Sequence, residues 1–91
     1  MAKIILFKDV NFGGDALVVT SADPDLGPQG WNDAVSSLIV IDGAWSLYED
    51  INYGGTRWSV NALGGPANDG TYADWSDWSG SNDSISSLTS V

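Results

Sequence analysis

Two stretches of the chain are near copies of each other, and nothing else in the sequence limits the fold as strongly. Phe7-Lys8-Asp9-Val10-Asn11-Phe12-Gly13-Gly14 matches Tyr48-Glu49-Asp50-Ile51-Asn52-Tyr53-Gly54-Gly55 at an offset of 41, identical or similar everywhere except Lys8 against Glu49. Asn32-Asp33-Ala34-Val35-Ser36-Ser37-Leu38 matches Asn82-Asp83-Ser84-Ile85-Ser86-Ser87-Leu88 at an offset of 50. The second copy is therefore nine residues longer, and the extra length falls between Tyr53 and Asn82. There Gly64 to Gly70 and Asp74 to Trp78 have no counterpart of equal length in the first copy. Two copies are too few for a solenoid, which needs about three. They predict one pseudo-symmetric domain over 1–91, with motif one about 1–42 and motif two about 43–91.

Each copy reads as short strands between turn formers. Segments 3–7, 16–20, 36–41, 45–49, 57–61 and 85–91 are rich in Val, Ile, Leu and aromatics, the residues that suit a pleated, half-buried surface. No apolar stripe of helical period runs for ten residues; Thr71 to Trp78 is the one helical candidate, and its serines favour a single turn. Asp42-Gly43 is a tight-turn signal and the joint between the copies. Many short strands, Gly-rich turns and no crossover helices predict an all-β fold, an antiparallel β-sandwich.

Charge and composition remove several functions. With 12 acidic residues against 3 Lys and Arg the net charge is −9, so a phosphate backbone is repelled and nucleic acid is no partner. The chain has no Cys and no His, which removes thiolate nucleophiles, imidazole bases, disulfides and Cys/His zinc sites. Oxygen ligands remain. No apolar run approaches the roughly 18 residues of a membrane span, and the Met1 to Asp9 stretch is too short in apolar residues for a signal peptide. The compartment is left open, and the chain reads as a monomer or as one domain of a larger protein.

The chemistry concentrates in the repeated segments. Paired glycines after an aromatic permit positive φ where the chain doubles back, and Phe7 with Phe12, or Tyr48 with Tyr53, can close over the fold. In Asn-Asp-x-x-Ser-Ser, Asn and Asp suit a tight turn and offer hard oxygens, and the serines open a strand whose successive side chains face opposite ways. Ser36 and Ser86 are therefore expected to face outward to a ligand, and Ser37 and Ser87 inward to bond the glycine hairpin.

With these motifs the sequence resembles the microbial members of the βγ-crystallin family, over nearly its whole length. The resemblance implies two Greek-key motifs and two Ca²⁺ ions, each shared between the motifs. One site would use Asp33, the carbonyl of Ala34, Ser86 and the carbonyl of Glu49; the other would use Asp83, the carbonyl of Ser84, Ser36 and the carbonyl of Lys8. Both motifs match in full. Lys8, a cation beside the second site, and the enlarged second copy depart from the pattern. Ca²⁺ takes about six to eight oxygens, so water would complete each shell, and one carboxylate per site implies an affinity of about micromolar to millimolar.

Other readings compete. Trp45 and Trp58 are expected in the core, while Trp75 and Trp78 either cap it or form an aromatic patch. Such a patch would make the chain a carbohydrate- or protein-binding module instead of a calcium-binding structural domain. Asp23-Pro24-Asp25-Leu26-Gly27 begins like an EF-hand loop but puts Ala34 where the closing Glu is required. Asn82-Asp83-Ser84 is formally a glycosylation sequon, though a glycan would occupy the expected calcium loop. Asp74 and Asp77 could in principle cleave glycosides, but a sandwich of this size offers little cleft, and no base completes a serine nucleophile. No catalytic activity is expected.

Overall fold

A computed structural model describes residues 2–31, 34–78 and 85–91. Among these residues seven strands follow in chain order: β1 (Lys3–Asp9), β2 (Gly13–Val19), β3 (Ser37–Asp42), β4 (Ala44–Asp50), β5 (Gly54–Asn61), β6 (Thr71–Tyr72) and β7 (Ser87–Ser90). They form two antiparallel sheets, ordered β2-β1-β3-β6 and β5-β4-β7. Gly43, at φ +80°, is the single residue that carries the chain from β3 in one sheet to β4 in the other.

Each copy contributes three strands to its own sheet and sends its remaining extended segment to the other. β6 of motif two pairs with β3 of motif one, Leu38 opposite Tyr72. In return Asp23 of motif one bridges Leu88 of β7, with N–H to carbonyl bonds both ways at 2.9 and 3.0 Å. The hairpin tips repeat this exchange: Asn11 N–H donates to the Ala73 carbonyl at 2.6 Å, and Asn52 N–H donates to the Pro24 carbonyl at 2.7 Å. This is a pair of interlocked Greek keys, since the segment that would be a motif's own fourth strand closes the opposite sheet.

Inward-facing residues of both sheets meet between them. Ile4 and Leu6 of β1, Leu38 of β3, Trp45 and Leu47 of β4 and Leu88 of β7 are wholly buried. Trp58 is half-buried against this cluster, as a strand residue at the margin. The burial of such side chains, about 1.5–3 kcal/mol each, holds the sheets face to face.

The enlargement of the second copy is local. Two residues separate Thr20 from the bridging Asp23, whereas ten separate Asn61 from Tyr72, so eight of the nine extra residues form this one connection. It is a surface excursion with a fixed root: Gly70, buried and at φ +82°, accepts from Val40 N–H at 2.8 Å and donates to the Gly64 carbonyl at 2.9 Å. Within it, Asp69 accepts from the Thr71 hydroxyl and backbone N–H, and these bonds hold its carboxyl below the ordinary 3.8.

The segment Asp74 to Trp78 does have a counterpart, contrary to the sequence expectation. A 3₁₀ turn at Trp75–Trp78 matches one at Gly27–Gln29, each following the exchanged segment. The turn expected over Thr71 to Trp78 is thus confined to its second half, because Thr71–Tyr72 is captured as a strand by β3.

Candidate metal centre

Both hairpins are built alike. Asn11 and Phe12 sit at φ 56° and 60°, Asn52 and Tyr53 at 56° and 61°, followed by Gly14 at 72° and Gly55 at 73°. Only the second glycine of each pair takes positive φ; the rest of the reversal falls on the Asn-aromatic pair. Asn tolerates that region, but an aromatic there costs about 1–3 kcal/mol and needs outside support. Ser37 supplies it: its hydroxyl accepts from Phe12 N–H at 3.0 Å and donates to the Asp9 carbonyl at 2.5 Å. Ser87 accepts from Tyr53 N–H at 3.1 Å and donates to the Asp50 carbonyl at 2.6 Å. The rings complete the support, Phe7 against Phe12 at 5.7 Å and Tyr48 against Tyr53 at 5.6 Å, both edge-to-face. The inward role expected of Ser37 and Ser87 is the one observed.

The other expected residues gather beside these hairpins. The β1–β2 register passes from Phe7 to Asp9 and skips Lys8; the β4–β5 register passes from Tyr48 to Asp50 and skips Glu49. Each bulge lies on the partner strand, where two residues, Gly14 and Asp15 or Gly55 and Thr56, stand opposite one, so Lys8 and Glu49 face an irregular stretch of the ladder. Ser36 N–H donates to the Phe7 carbonyl and Ser86 N–H to the Tyr48 carbonyl, both at 2.9 Å. Each serine thereby stands next to the bulge of its own motif, Ser36 by Lys8 and Ser86 by Glu49. Ala34 is half-buried, its N–H donating to the Trp31 carbonyl at 3.2 Å. Asp33, Asp83 and Ser84, and with them the sequon, lie outside the described residues.

Ser36 and Ser86 do not face solvent, being only 6 % and 5 % exposed. Val35 to Leu38 and Ile85 to Leu88 are each buried without a break. Strand alternation separates an inside from an outside only when one face is open; here both faces are covered as the chain enters β3 and β7. Beside each bulge the described residues offer neutral oxygens, a serine hydroxyl and the carbonyl of Lys8 or Glu49. Among the described residues no three Asp or Glu converge. Hydroxyl and carbonyl oxygens belong to the ligand set of Ca²⁺, so the residues present fit that ion.

One neighbour went unmarked in the sequence. Trp31 is buried, and the Lys8 ammonium lies 5.2 Å from its ring centroid and 4.0 Å from an Asp15 carboxylate oxygen. Its position directly before Asn32 was the available signal.

The Beta/Gamma crystallin family model matches residues 3–91. The chain belongs to the βγ-crystallin family. It is 38% identical to a Beta/gamma-crystallin of Ciona intestinalis over 88 residues, covering 97% of this chain and 96% of that protein. A betagamma-crystallin crystal structure from an archaeon superposes with a TM-score of 0.85 at 36% identity, covering 99% of this chain and 98% of the other. Human Gamma-crystallin D is 34% identical over 87 residues, 96% of this chain and 45% of that protein, so this chain spans about half its length.

In this βγ-crystallin chain the tryptophans resolve toward packing. Trp78 is 5 % exposed and meets Tyr72 edge-to-face at 6.4 Å, and Trp75 packs half-buried against the core. Capping describes them; an open aromatic patch does not. Among the described residues no helix is long and apolar enough to cross a membrane.

Proposed function

We propose that this domain is a calcium-binding structural module without catalytic activity, holding two Ca²⁺ ions in sites shared between its motifs. The observation that carries the reading is the doubled placement of a buried serine beside the residue that faces a bulge, Ser36 by Lys8 and Ser86 by Glu49. Membership of the βγ-crystallin family supports it. In the proposal Asp33 with the Ala34 carbonyl joins Ser86 and the Glu49 carbonyl, and Asp83 with the Ser84 carbonyl joins Ser36 and the Lys8 carbonyl. Bound calcium neutralises loop carboxylates that otherwise repel one another in a chain of charge −9, and by binding only the folded state it stabilises the fold.

Calcium titration by calorimetry, with melting curves in chelator and in millimolar calcium, tests this. Two binding events and a raised Tm are expected, each site adding about 2.7 kcal/mol at a hundredfold excess over its Kd. Asp33→Ala with Ser86→Ala is expected to leave one site intact, and Asp33→Ala with Ser36→Ala to impair both. An unchanged Tm and no heat of binding in the unsubstituted chain would falsify the calcium reading; an intact site in the Asp33/Ser36 pair would show that each site is built from one motif.

A further inference from the structure

The two motifs are joined through one residue, and the contacts that hold them together do not involve it. Asp42 ends β3 in the first sheet, Ala44 begins β4 in the second, and Gly43 turns between them at φ +80°. Contacts between the motifs are spread over the whole domain. Leu26 N–H donates to the Ser86 carbonyl at 2.9 Å and Val40 N–H to the Gly70 carbonyl at 2.8 Å, beside the Asp23–Leu88 bridge, the Leu38–Tyr72 pair and the two hairpin tips. Leu6 and Leu38 from motif one and Trp45 and Leu88 from motif two are wholly buried in one core. A motif by itself would expose that apolar face and leave its exchanged segment without a strand to pair with. What completes it is the complementary motif, whichever chain supplies it.

We infer that the partner this arrangement fits is a second copy of the same chain: with Gly43 extended, two copies exchange their second motifs and form an intertwined dimer of two complete sandwiches. The left-handed turn at Gly43 is what folds motif two back onto its own motif one and keeps the chain monomeric. Glycine reaches the left-handed and the extended regions about equally well, whereas a side chain is strained in the first. A Cβ at this position would also stand 3.3 Å from the Ala2 Cβ. In an extended joint the strain of positive φ is absent, and β3 runs on into β4. A short joint gives the two motifs an effective concentration of about millimolar, so the unsubstituted chain is monomeric at micromolar concentration and exchanges in part near about 1 mM. A β-branched residue disfavours each turn about ten-fold, and a dimer relieves two, so Gly43→Val is expected to lower the dimer Kd about a hundredfold. The inference is independent of the calcium reading and is tested in chelator.

The chain has no Cys, so an introduced pair reports which chain supplies which motif. Ile39 of β3 stands directly opposite Thr71 of β6. Ile39→Cys with Thr71→Cys, oxidised only after folding, links one chain to itself in the closed monomer and two chains to each other in the exchanged dimer. The full chain carrying this pair is unfolded in reductant and refolded at about 10 µM, about 100 µM and about 1 mM, concentrations that bracket the expected dimer Kd values. Products are read on a denaturing gel without reductant and by light scattering. With Gly43→Val the interchain product is expected to dominate from about 100 µM upward. With Gly43→Asn, whose side chain tolerates positive φ, and with the glycine retained, it is expected only near about 1 mM. Circular dichroism establishes that each variant is folded; should Gly43→Val fail to fold, Gly43→Ala, strained in the same sense but less, replaces it. Dimers whose disulfides stay within single chains would reveal ordinary surface association and overturn the inference. Equal interchain product for Gly43→Val and Gly43→Asn, or monomers at every concentration, overturns it as well.

Discussion

The hairpin of motif one and the hairpin of motif two are nearly superimposable in their internal contacts, yet the surfaces around them differ. Both use a serine to bond the reversal, both stack an aromatic pair within 0.1 Å of the same separation, 5.7 and 5.6 Å, and both press the second glycine against an Asp carboxylate. Outside that frame the copies diverge. Across the outer face of the first sheet, Val18, Ile5 and Ile39 stand in register; the matching positions in the second are Ser59, Ser46 and Thr89. The nine added residues and the Lys8/Glu49 exchange belong to the same divergent set. The difference teaches where the sequence is constrained: strained φ leaves few choices for the residues that support it, while the outer face of a strand accepts either apolar or hydroxylic side chains.

That comparison breaks most severely in the enlarged connection, which only motif two possesses. At Gly70 a Cβ would press into the Val40 carbonyl at a backbone φ of +82°. Gly70→Ala is expected to destabilise by about 3 kcal/mol or more, from strain and collision together. Chemical denaturation measures it; a loss under about 1 kcal/mol would show the connection to be pliable at its root.

The shared frame is sharpened by Ser37→Ala and Ser87→Ala. Each removes two hydrogen bonds at a wholly buried position and strands a backbone donor of the reversal, for an expected loss of about 2 kcal/mol. The two losses should agree within about 0.5 kcal/mol in chelator, where calcium does not contribute. A large inequality would mean that the matching geometry hides unequal strain.

The smallest effect concerns Asp69, again specific to motif two. Its folded carboxyl titrates below the ordinary value because the Thr71 hydroxyl and N–H bond the ionised form. Its contribution to stability is therefore complete above the unfolded carboxylate pKa and is lost as pH falls through the depressed folded one. Thr71→Val should move the Asp69 titration upward in an NMR pH series and leave the other carboxylates in place. The group is fully exposed, so the melting curve should hardly change.

The legible part of the fold came from duplication. Matching Phe7 to Tyr48 and Ser37 to Ser87 placed the hairpins, the aromatic pairs and the inward serines, because each is a local geometry specified by residues close in sequence or by a repeated motif. The strand ends were less legible: β2 and β5 begin at Gly13 and Gly54, earlier than apolar content implied, since a glycine can join a ladder without advertising it. β6 was read as part of a turn because two residues carry no period.

By itself, then, the sequence determined an antiparallel sandwich of two repeated halves, a net charge of −9 and an oxygen-only set of ligands. Tertiary structure alone decided that Asp23 and Thr71–Tyr72 cross to the opposite sheets, that Ser36 and Ser86 are covered on both faces, and that Trp31 anchors Lys8. The physical reason is separation along the chain. Propensity and turn chemistry act over a few residues, whereas a strand exchange or a ring beneath an ammonium depends on surfaces that meet only after both halves have packed.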